Sequence, residues 1–242
     1  MFKSVRDTVF IGKNLIYLPS CQSTNSEAVS LVQKGKAGEG TIIITSAQTA
    51  GRGQRGNTWL AQPNQDLTFS LVLKPSFLLA QEQFALNITI SLAIQRFLEQ
   101  FLPQGLKVKW PNDIYFKKQK IGGILIENFI KQQRIENSII GIGLNINQLE
   151  FDLPAANSVG RLTGKQYQLP EMLEELCIFI EQAYLQLRNG QQNQQRQQYL
   201  SALYWFQEKH LFSDCRSEIP QMFEGQIIGI DKNGRLVLEV QG

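Results

Sequence analysis

The chain has 242 residues, 43% of them hydrophobic, which is enough for one globular domain with a small appendage. A net charge of +3 argues against a nucleic-acid-binding protein. The three cysteines (Cys21, Cys177 and Cys215) lack CxxC spacing, and there is one histidine, His210, so a disulfide scaffold, a zinc site and a Ser-His-Asp triad are poor hypotheses. No apolar run could cross a membrane and no signal peptide is evident, so we expect a soluble protein of the cytoplasm, a reducing compartment.

The predicted elements mix strands and helices without regular alternation. In chain order we predict a strand over 14–19, a helix over 24–35, strands over 41–45 and 67–73, a helix over 83–101, strands over 106–110, 114–116, 121–130 and 135–145, a helix from 169, a further helix after a break near 190, and a hairpin of strands 225–230 and 236–240. This order favours an α+β fold with a mixed sheet over a doubly wound fold.

Four local patterns lead to more detailed expectations. Thr24 and Glu27 have the spacing of a capping box at the start of the first helix. Residues 67–73 alternate between apolar and polar, which predicts a half-buried strand. The Asp-Lys-Asn-Gly sequence at 231–234 predicts the turn of the last hairpin. The segment 47–66 is long, polar and contains glycine, and loops of this length in compact domains are usually functional or disordered.

The first candidate for chemistry lies inside this long segment. It contains Gly51-Arg52-Gly53-Gln54-Arg55-Gly56, followed by Trp59. The glycines let backbone N–H groups turn toward a ligand, and the arginines supply planar, permanent charges that suit a phosphate or a carboxylate. Taken alone, the pattern fits a loop that closes over a nucleotide and a solvated surface loop about equally. It matches neither a P-loop nor a dinucleotide-binding fingerprint.

The second candidate lies between predicted strands. It contains Lys109-Trp110-Pro111-Asn112-Asp113, and further on Lys120-Ile121-Gly122-Gly123-Ile124-Leu125. Glycines at the start of an apolar strand let a ligand lie against the backbone, and a lysine beside them can neutralise an anion. The alternative is an ordinary hairpin with lysines at its rim.

Two shorter motifs carry less information. Ser23-Thr24-Asn25 begins a helix, where free N–H groups attract anions, although ordinary capping is the simpler explanation for an isolated motif. Gly141-Ile142-Gly143-Leu144-Asn145 ends a strand. Asn145 could bind an amide or a base edge, or it could simply end the strand.

In this order the motifs resemble those of the biotin protein ligases. The run from Gln48 through the glycine–arginine segment to Trp59 resembles that family's nucleotide-binding loop. The Lys-Trp-Pro-Asn-Asp-Ile segment, followed by Lys120 and its two glycines, resembles the second signature and is the most specific part. The resemblance covers nearly the whole chain, and the shared order makes coincidence a poor explanation.

The resemblance implies an ATP-dependent ligase that joins biotin to a lysine of the biotin carboxyl carrier protein of acetyl-CoA carboxylase. Biotin's carboxylate would attack the α-phosphate of MgATP to give biotinyl-5′-AMP, and the carrier lysine would then attack this adenylate and release AMP. Because two anions must meet, we expect the cations Arg52 and Lys120, with Mg²⁺, to hold them together. The sequence does not identify metal ligands.

The resemblance also assigns binding roles to individual residues. Those expected to bind biotin are Ser23, Thr24, Asn25, Gln48, Lys120, Gly122 and Gly123. Those expected to bind ATP or the adenylate are Arg52, Gly53, Gln54, Arg55, Trp59, Lys120 and Asn145. Trp59 would stack on the adenine, or it could instead be a core residue that anchors the loop. Many family members carry arginine where this chain has Gln54, which adds no charge, so we expect the adenylate to be held less tightly here.

The implied architecture is a catalytic domain related to class II aminoacyl-tRNA synthetases over residues 1–213, with a mixed sheet and flanking helices, and a small SH3-like β domain over 214–242. That tail is short for an independent β domain, so we expect it to lean on the catalytic domain. Only 22 residues precede Ser23, so we do not expect the N-terminal winged helix that some family members carry.

Three alternative functions stay open from the sequence. They are a lipoate–protein ligase, a non-enzymatic regulator that binds biotin or a nucleotide, and a DNA-binding repressor. The presence of Arg52, Arg55 and Lys120 favours an enzyme over a regulator, and the intact Lys-Trp-Pro-Asn-Asp motif favours biotin over lipoate by resemblance. Edge strands could pair with a second copy, giving a homodimer, or with the carrier protein.

Overall fold

A mixed seven-stranded sheet forms the centre of the structure, a computed structural model that describes residues 2–214 and 220–240. Its strands are β1 (Leu15–Cys21), β2 (Ile42–Gln48), β3 (Leu67–Leu73), β4 (Leu106–Lys109), β5 (Asp113–Phe116), β6 (Gln119–Lys131) and β7 (Arg134–Leu144). They lie in the order β1-β2-β3-β7-β6-β5-β4. β1 and β2 are parallel, and the other neighbours are antiparallel.

Helices cover both faces of this sheet unequally. They are α1 (Thr24–Gln33), α2 (Phe84–Glu99), α3 (Val159–Thr163), α4 (Leu169–Arg188) and α5 (Gln192–Ala202), with 3₁₀ turns at Gln54–Gly56 and Ala80–Glu82. Helix α2 packs against α4, α5 and the sheet, whereas α1 packs alone against β2, β3 and β7 on the opposite face.

The alternation of side chains along β3, β7 and β6 separates the main core from the opposite face. Phe69, Ile142 and Ile124 belong to the main core, which they share with α2 and α4. On the other face, α1 buries a smaller apolar cluster that includes Ala28 and Ile139. Because neighbouring residues of a strand point to opposite faces, the glycines between these apolar residues leave an uncovered strip beside α1.

A three-stranded antiparallel sheet follows at the C-terminal end. It is formed by β8 (Lys209–Asp214), β9 (Gln221–Ile230) and β10 (Leu236–Val240), in the order β10-β9-β8. The Trp110 indole N–H donates to the carbonyl of Gly234 at 2.7 Å, and the Arg196 guanidinium donates to the carbonyls of Ile230 and Asp231. The small sheet thus packs against the part of the chain that forms the central sheet and helices, through its 231–234 turn. The domain boundary after residue 213 stays a prediction. In the structure this position falls inside β8 (Lys209–Asp214).

The predicted α+β class, the mixed sheet and the order of the elements are confirmed, but two details are wrong. The first is the capping box of Thr24 and Glu27. The N-cap of α1 is Ser23, whose side chain makes no capping hydrogen bond, and the Thr24 hydroxyl donates to Oε1 of Gln48 at 3.3 Å instead. Strand β3 is buried at every residue rather than half-buried, because α1 packs over its polar face.

Two cysteines lie in the described part of the chain. Cys21, which is half-buried, and Cys177, which is buried, are free thiols, and burial raises the pKa of each thiol. Cys215 lies outside the described residues.

Over the residues described, none of the helices combines the length and the apolar character that a membrane crossing requires.

Asp66 connects the end of the long loop to the end of β7. Its Oδ1 accepts a hydrogen bond from the backbone N–H of Ile146 at 2.8 Å, whereas its Oδ2 is buried without a partner. Burial raises the pKa of Asp66 from 3.8 to about 6. The folded state therefore favours the neutral carboxyl, since a buried charge loses its hydration.

The raised pKa of Asp66 predicts a dependence of stability on pH. The neutral carboxyl stabilises the fold at low pH, and this contribution is lost as the pH rises through about 6. Relative to Asp66→Asn, the wild type should lose about 2 kcal/mol of unfolding free energy between about pH 4 and pH 7, which is less than ~1.4 kcal/mol for each unit of the shift because the unfolded carboxyl is already partly ionised at pH 4. Urea unfolding at both pH values measures this difference. Asp7→Asn, at an exposed position, is the control, and equal pH dependence of all three proteins would contradict the prediction.

Candidate active site

A cavity of about 320 Å³ opens on the uncovered strip of the sheet. Its floor is made by β6 and β7, and its walls are the start of α1, the long loop after β2, and the turn between β4 and β5. Gly123, Gly141 and Gly143 place backbone rather than side chains at the floor. A Cβ at Gly141 would overlap the Asn25 side chain, so the close approach of α1 to β7 requires glycine there.

Polar side chains at one end of the cavity form a continuous hydrogen-bonded chain. Oε1 of Gln48 accepts from the backbone N–H of Thr24 at 2.8 Å and from its hydroxyl at 3.3 Å. The hydroxyl of Ser70 contacts Thr24 Oγ1 at 2.8 Å and Asn25 Oδ1 at 2.6 Å. Ser23 is buried beside them and lines the cavity. Because Thr24 occupies its carbonyl oxygen, the amide of Gln48 can present N–H donors to a ligand.

Arg52 reaches the cavity from the long loop. Its Nη2 donates to Oε2 of Glu127 on β6 at 3.0 Å, and the same carboxylate oxygen accepts from Nδ2 of Asn25 at 2.7 Å. A backbone bridge between Arg52 and Thr58 closes the tip of the loop. A positive side chain is thereby held at the mouth of the cavity.

Lys120 supplies a second cation from the start of β6. Its Nζ lies 2.7 Å from Oδ1 of Asp113 and 5.7 Å from the centre of the Trp59 ring. Its backbone N–H donates to the carbonyl of Ala155 at 2.7 Å, and its carbonyl accepts from the N–H of Asn157 at 2.9 Å. Hydrogen bonds on both sides of the residue fix the position from which the lysine side chain extends.

The turn of the Trp-Pro-Asn-Asp sequence is tied to β6. The peptide bond between Trp110 and Pro111 is cis. Nδ2 of Asn112 donates to the carbonyl of Ile124 at 2.6 Å, and the N–H of Ile124 donates back to the carbonyl of Asn112 at 3.0 Å. With Trp110 bound to Gly234, the turn is attached on two sides.

Trp59 packs on the cavity floor. A Cβ at Gly143 would overlap its indole ring, and one at Gly123 would lie 3.3 Å from Cζ3 of the ring. The indole Nε1 is buried without a partner, whereas the residue as a whole is half-buried. The ring therefore anchors the long loop against the glycines and also forms part of the cavity wall.

The structure brings most of the predicted site residues into this one cavity. Those that line it are Ser23, Thr24, Asn25, Gln48, Arg52, Gly53, Gln54, Trp59, Lys120 and Gly123. The side chain of Arg55 lies outside the described part of the structure.

Two predicted residues point elsewhere. A Cβ at Gly122 would meet the Leu144 side chain in the main core, because adjacent residues of β6 face opposite sides. Asn145 is buried and its Nδ2 donates to the carbonyl of Asn157 at 3.0 Å, so its amide braces the chain after β7. Neither residue lines the cavity.

Sequence reasoning missed Ser70 and Glu127, although period-two alternation could have identified both. Ser70 is two residues from Thr68 on the polar side of β3, and Glu127 follows Gly123 and Leu125 on the cavity side of β6. A carboxylate directly after the apolar run from Ile124 to Ile126 indicates a partner of opposite charge, here Arg52.

The sequence model of the Biotin/lipoate A/B protein ligase family matches residues 17–145, which is more than half of the chain. The chain therefore belongs to this family. The matched region contains all the residues that line the cavity.

Several relatives of this chain are biotin protein ligases. The bifunctional ligase/repressor BirA of Bacillus spizizenii is 29% identical over 240 residues, which cover 97% of this chain and 72% of that protein. The biotin--[acetyl-CoA-carboxylase] ligase of Mycobacterium tuberculosis is 29% identical over 226 residues, which cover 91% of this chain and 81% of that protein. The solved structure of biotin protein ligase from Aquifex aeolicus in complex with biotin and ATP is 24% identical, with a TM-score of 0.76 over 95% of this chain and 97% of that chain, and has the same fold.

The contact between Trp59 and the cavity floor predicts the effect of Gly143→Ala. The new methyl group would overlap the indole, and overpacking of this kind costs about 1–3 kcal/mol of unfolding free energy. Urea unfolding measures the loss. Gly229→Ala on β9 is the matched control, since a Cβ there would meet no atom within 4 Å. The explanation fails if Gly143→Ala is equally costly in a Trp59→Ala background.

Proposed function

We propose that this chain is a biotin protein ligase, which uses ATP to attach biotin to a lysine of the biotin carboxyl carrier protein of acetyl-CoA carboxylase. The observation that carries the proposal is a single cavity. It combines the polar cluster of Ser23, Thr24 and Gln48, a floor of glycine backbone, and the cationic side chains of Arg52 and Lys120. Membership of the family and the names of the relatives supply the substrate.

The polar cluster suits the ureido ring of biotin. That ring has one carbonyl, which needs hydrogen-bond donors, and two N–H groups, which need acceptors. Ser23 and Thr24, which are buried, and Gln48, which is half-buried, offer hydroxyl and amide groups of both kinds in one place. The sulfur-containing ring would then lie over Gly123, where the absence of a side chain leaves room for it.

The two cations suit the first reaction step. A biotin carboxylate oxygen attacks the α-phosphorus of ATP, the bond from that phosphorus to the pyrophosphate oxygen breaks, and biotinyl-5′-AMP forms. Arg52 and Lys120 would offset the repulsion between the two anions and stabilise the charge that develops on the phosphate oxygens. Holding both reactants in line in one cavity adds the advantage of proximity.

The nucleotide portion would occupy the side of the cavity toward the long loop. We propose that Trp59 stacks on the adenine with the face that does not contact Gly143, and that Gly53 and Gln54 lie against the phosphate. The adenylate-binding roles predicted for Arg55 and Asn145 also stay proposals, and the Asn145 amide would have to exchange the carbonyl of Asn157 for the ligand. Closure of this loop would exclude water, which would otherwise hydrolyse the mixed anhydride.

The second step transfers biotin to the carrier. The neutral amine of the carrier lysine attacks the acyl carbon of biotinyl-5′-AMP, the bond from that carbon to the phosphate oxygen breaks, and the amine loses a proton as AMP leaves. No covalent bond to the enzyme is required.

The nucleotide would bind as its Mg²⁺ complex, and Asp113 is a carboxylate of the cavity wall that could contact the hydrated ion.

We also propose the partners and the location that this chemistry requires. The carrier domain must present its lysine at the mouth of the cavity, beside Arg52 and the long loop. Within the described residues, the β1 edge of the central sheet offers unpaired backbone groups for association with the carrier or with a second copy of the chain, whereas the β4 edge is partly covered, because the carbonyl of Val108 accepts from the N–H of Tyr204 at 2.9 Å. A cytoplasmic location would supply both ATP and the carboxylase.

The role of Lys120 predicts the effect of Lys120→Ala on adenylate formation. Loss of a preorganised cation should lower the rate of biotin-dependent ATP–pyrophosphate exchange by on the order of 10²–10³. Lys118→Ala, at an exposed neighbouring position, is the control and should leave the rate unchanged. Near-normal exchange in Lys120→Ala would refute the assigned role.

The same assay tests the proposed function itself. Exchange should depend on biotin, and labelled biotin should move to an isolated carrier domain in the presence of ATP. Exchange that depends on lipoate instead would show that the substrate is wrong. Binding of biotin without any exchange or transfer would indicate a non-enzymatic regulator.

The uncharged side chain of Gln54 predicts weak retention of the adenylate. Gln54→Arg adds a cation at a residue that lines the cavity, so biotinyl-5′-AMP should dissociate about tenfold more slowly, the size of one additional charged hydrogen bond. Release of labelled adenylate from the purified complex measures the rate. A slower release from the wild type than from Gln54→Arg would contradict the prediction.

A further inference from the structure

Glu127 lies behind the cavity, at the junction of two elements proposed to bind substrates. It is on the same side of β6 as Gly123 and Leu125, but it is not itself among the residues that line the cavity. Its Oε2 accepts hydrogen bonds from Asn25 at 2.7 Å and from Arg52 at 3.0 Å, and both of these partners line the cavity. One carboxylate oxygen thus connects α1 to the long loop.

The two partners depend on Glu127 to different degrees. Asn25 is buried, and it is also held by the carbonyl of Leu125 at 3.3 Å and by the Ser70 hydroxyl at 2.6 Å. The Arg52 side chain is 47% exposed and extends from a loop, so its bond to Glu127 is the contact that orients it. Removal of the carboxylate should therefore displace Arg52 much more than Asn25.

The geometry of the ion pair leaves Arg52 able to bind a ligand. The contact uses Nη2, and a guanidinium has five N–H donors in a planar fork, so further donors stay available to a phosphate. Ion pairs exposed to this extent, 47% and 32% for the two side chains, contribute little to stability. The pair is better explained by the orientation it gives to Arg52 than by the stability it adds.

We infer that Glu127 is a positioning residue for adenylate formation: it holds the Arg52 guanidinium over the cavity so that the remaining N–H groups face the α-phosphate of the nucleotide. The inference rests on the proposed function and on the role proposed for Arg52. It assigns to Glu127 no contact with either substrate.

The experiment is a double-mutant cycle of Glu127 and Arg52, with biotin-dependent ATP–pyrophosphate exchange as the readout. Glu127→Ala should lower kcat by on the order of 10-fold, because misplacement of a binding group near the reacting atoms is costly. In an Arg52→Ala background the same substitution should have no further effect. Arg52→Lys, which lacks the planar fork, supplies a second background if Arg52→Ala is too slow to measure.

Two companion variants separate positioning from a general structural role. Glu127→Gln keeps a carbonyl oxygen that can accept both hydrogen bonds, so it should recover most of the activity lost in Glu127→Ala. Glu136→Ala removes a comparable exposed ion pair with Lys131, 3.1 Å long, on the same pair of strands, and should leave exchange unchanged. The affinity for biotin alone, measured by calorimetry, and the thermal midpoint should be similar in all of these proteins.

Each outcome bears on a different statement. An equal loss from Glu127→Ala with and without Arg52, or no loss at all, overturns the inference and leaves the proposed function intact. Normal exchange in Arg52→Ala overturns the role proposed for Arg52, and the inference with it. Absence of biotin-dependent exchange in the wild type refutes the proposed function itself.

Discussion

The alternation of side chains along β3, β7 and β6 is the constraint on which the rest of the structure depends. One face of these strands is apolar and packs against α2 and α4, while the other carries Gly123, Gly141 and Gly143 in place of side chains. Because the two sets alternate residue by residue, a shift of one position in register would place glycines in the core and isoleucines in the cavity. The stability of the core and the shape of the cavity therefore fix the same register.

Much of this arrangement follows from local sequence. Strand periodicity and β-branched runs predict β1 to β7, and the resemblance of the glycine–arginine segment to a nucleotide-binding loop predicts that Arg52 belongs to the site, where it lines the cavity. What could not be predicted depends on neighbours distant in the chain. The full burial of β3 comes from α1 packing over it, and the direction of Gly122 comes from the register with β7. A motif identifies which residues approach the site but not which face of a strand each one occupies.

Charge at the cavity is balanced before any substrate is considered. Arg52 contacts Glu127 at 3.0 Å, and Lys120 contacts Asp113 at 2.7 Å. Each cation thus has a fixed carboxylate on the sheet, which orients the cation and also cancels its net charge. Under the proposed function, an anionic substrate between the two pairs would meet N–H groups whose directions are already set, and preorganisation of this kind reduces the rearrangement needed during reaction.

The two walls of the cavity differ in how they are attached to the rest of the protein. The Trp-Pro-Asn-Asp turn is fastened on two sides, by Asn112 to β6 and by Trp110 to Gly234 of the C-terminal sheet. The opposite wall is a loop fastened near its tip by the indole of Trp59 and the side chain of Arg52. Large ligands would therefore enter and leave by displacement of the loop, with the turn as the fixed wall. Substitutions in the C-terminal hairpin would change the shape of the site, whereas substitutions in the loop would change how often it opens.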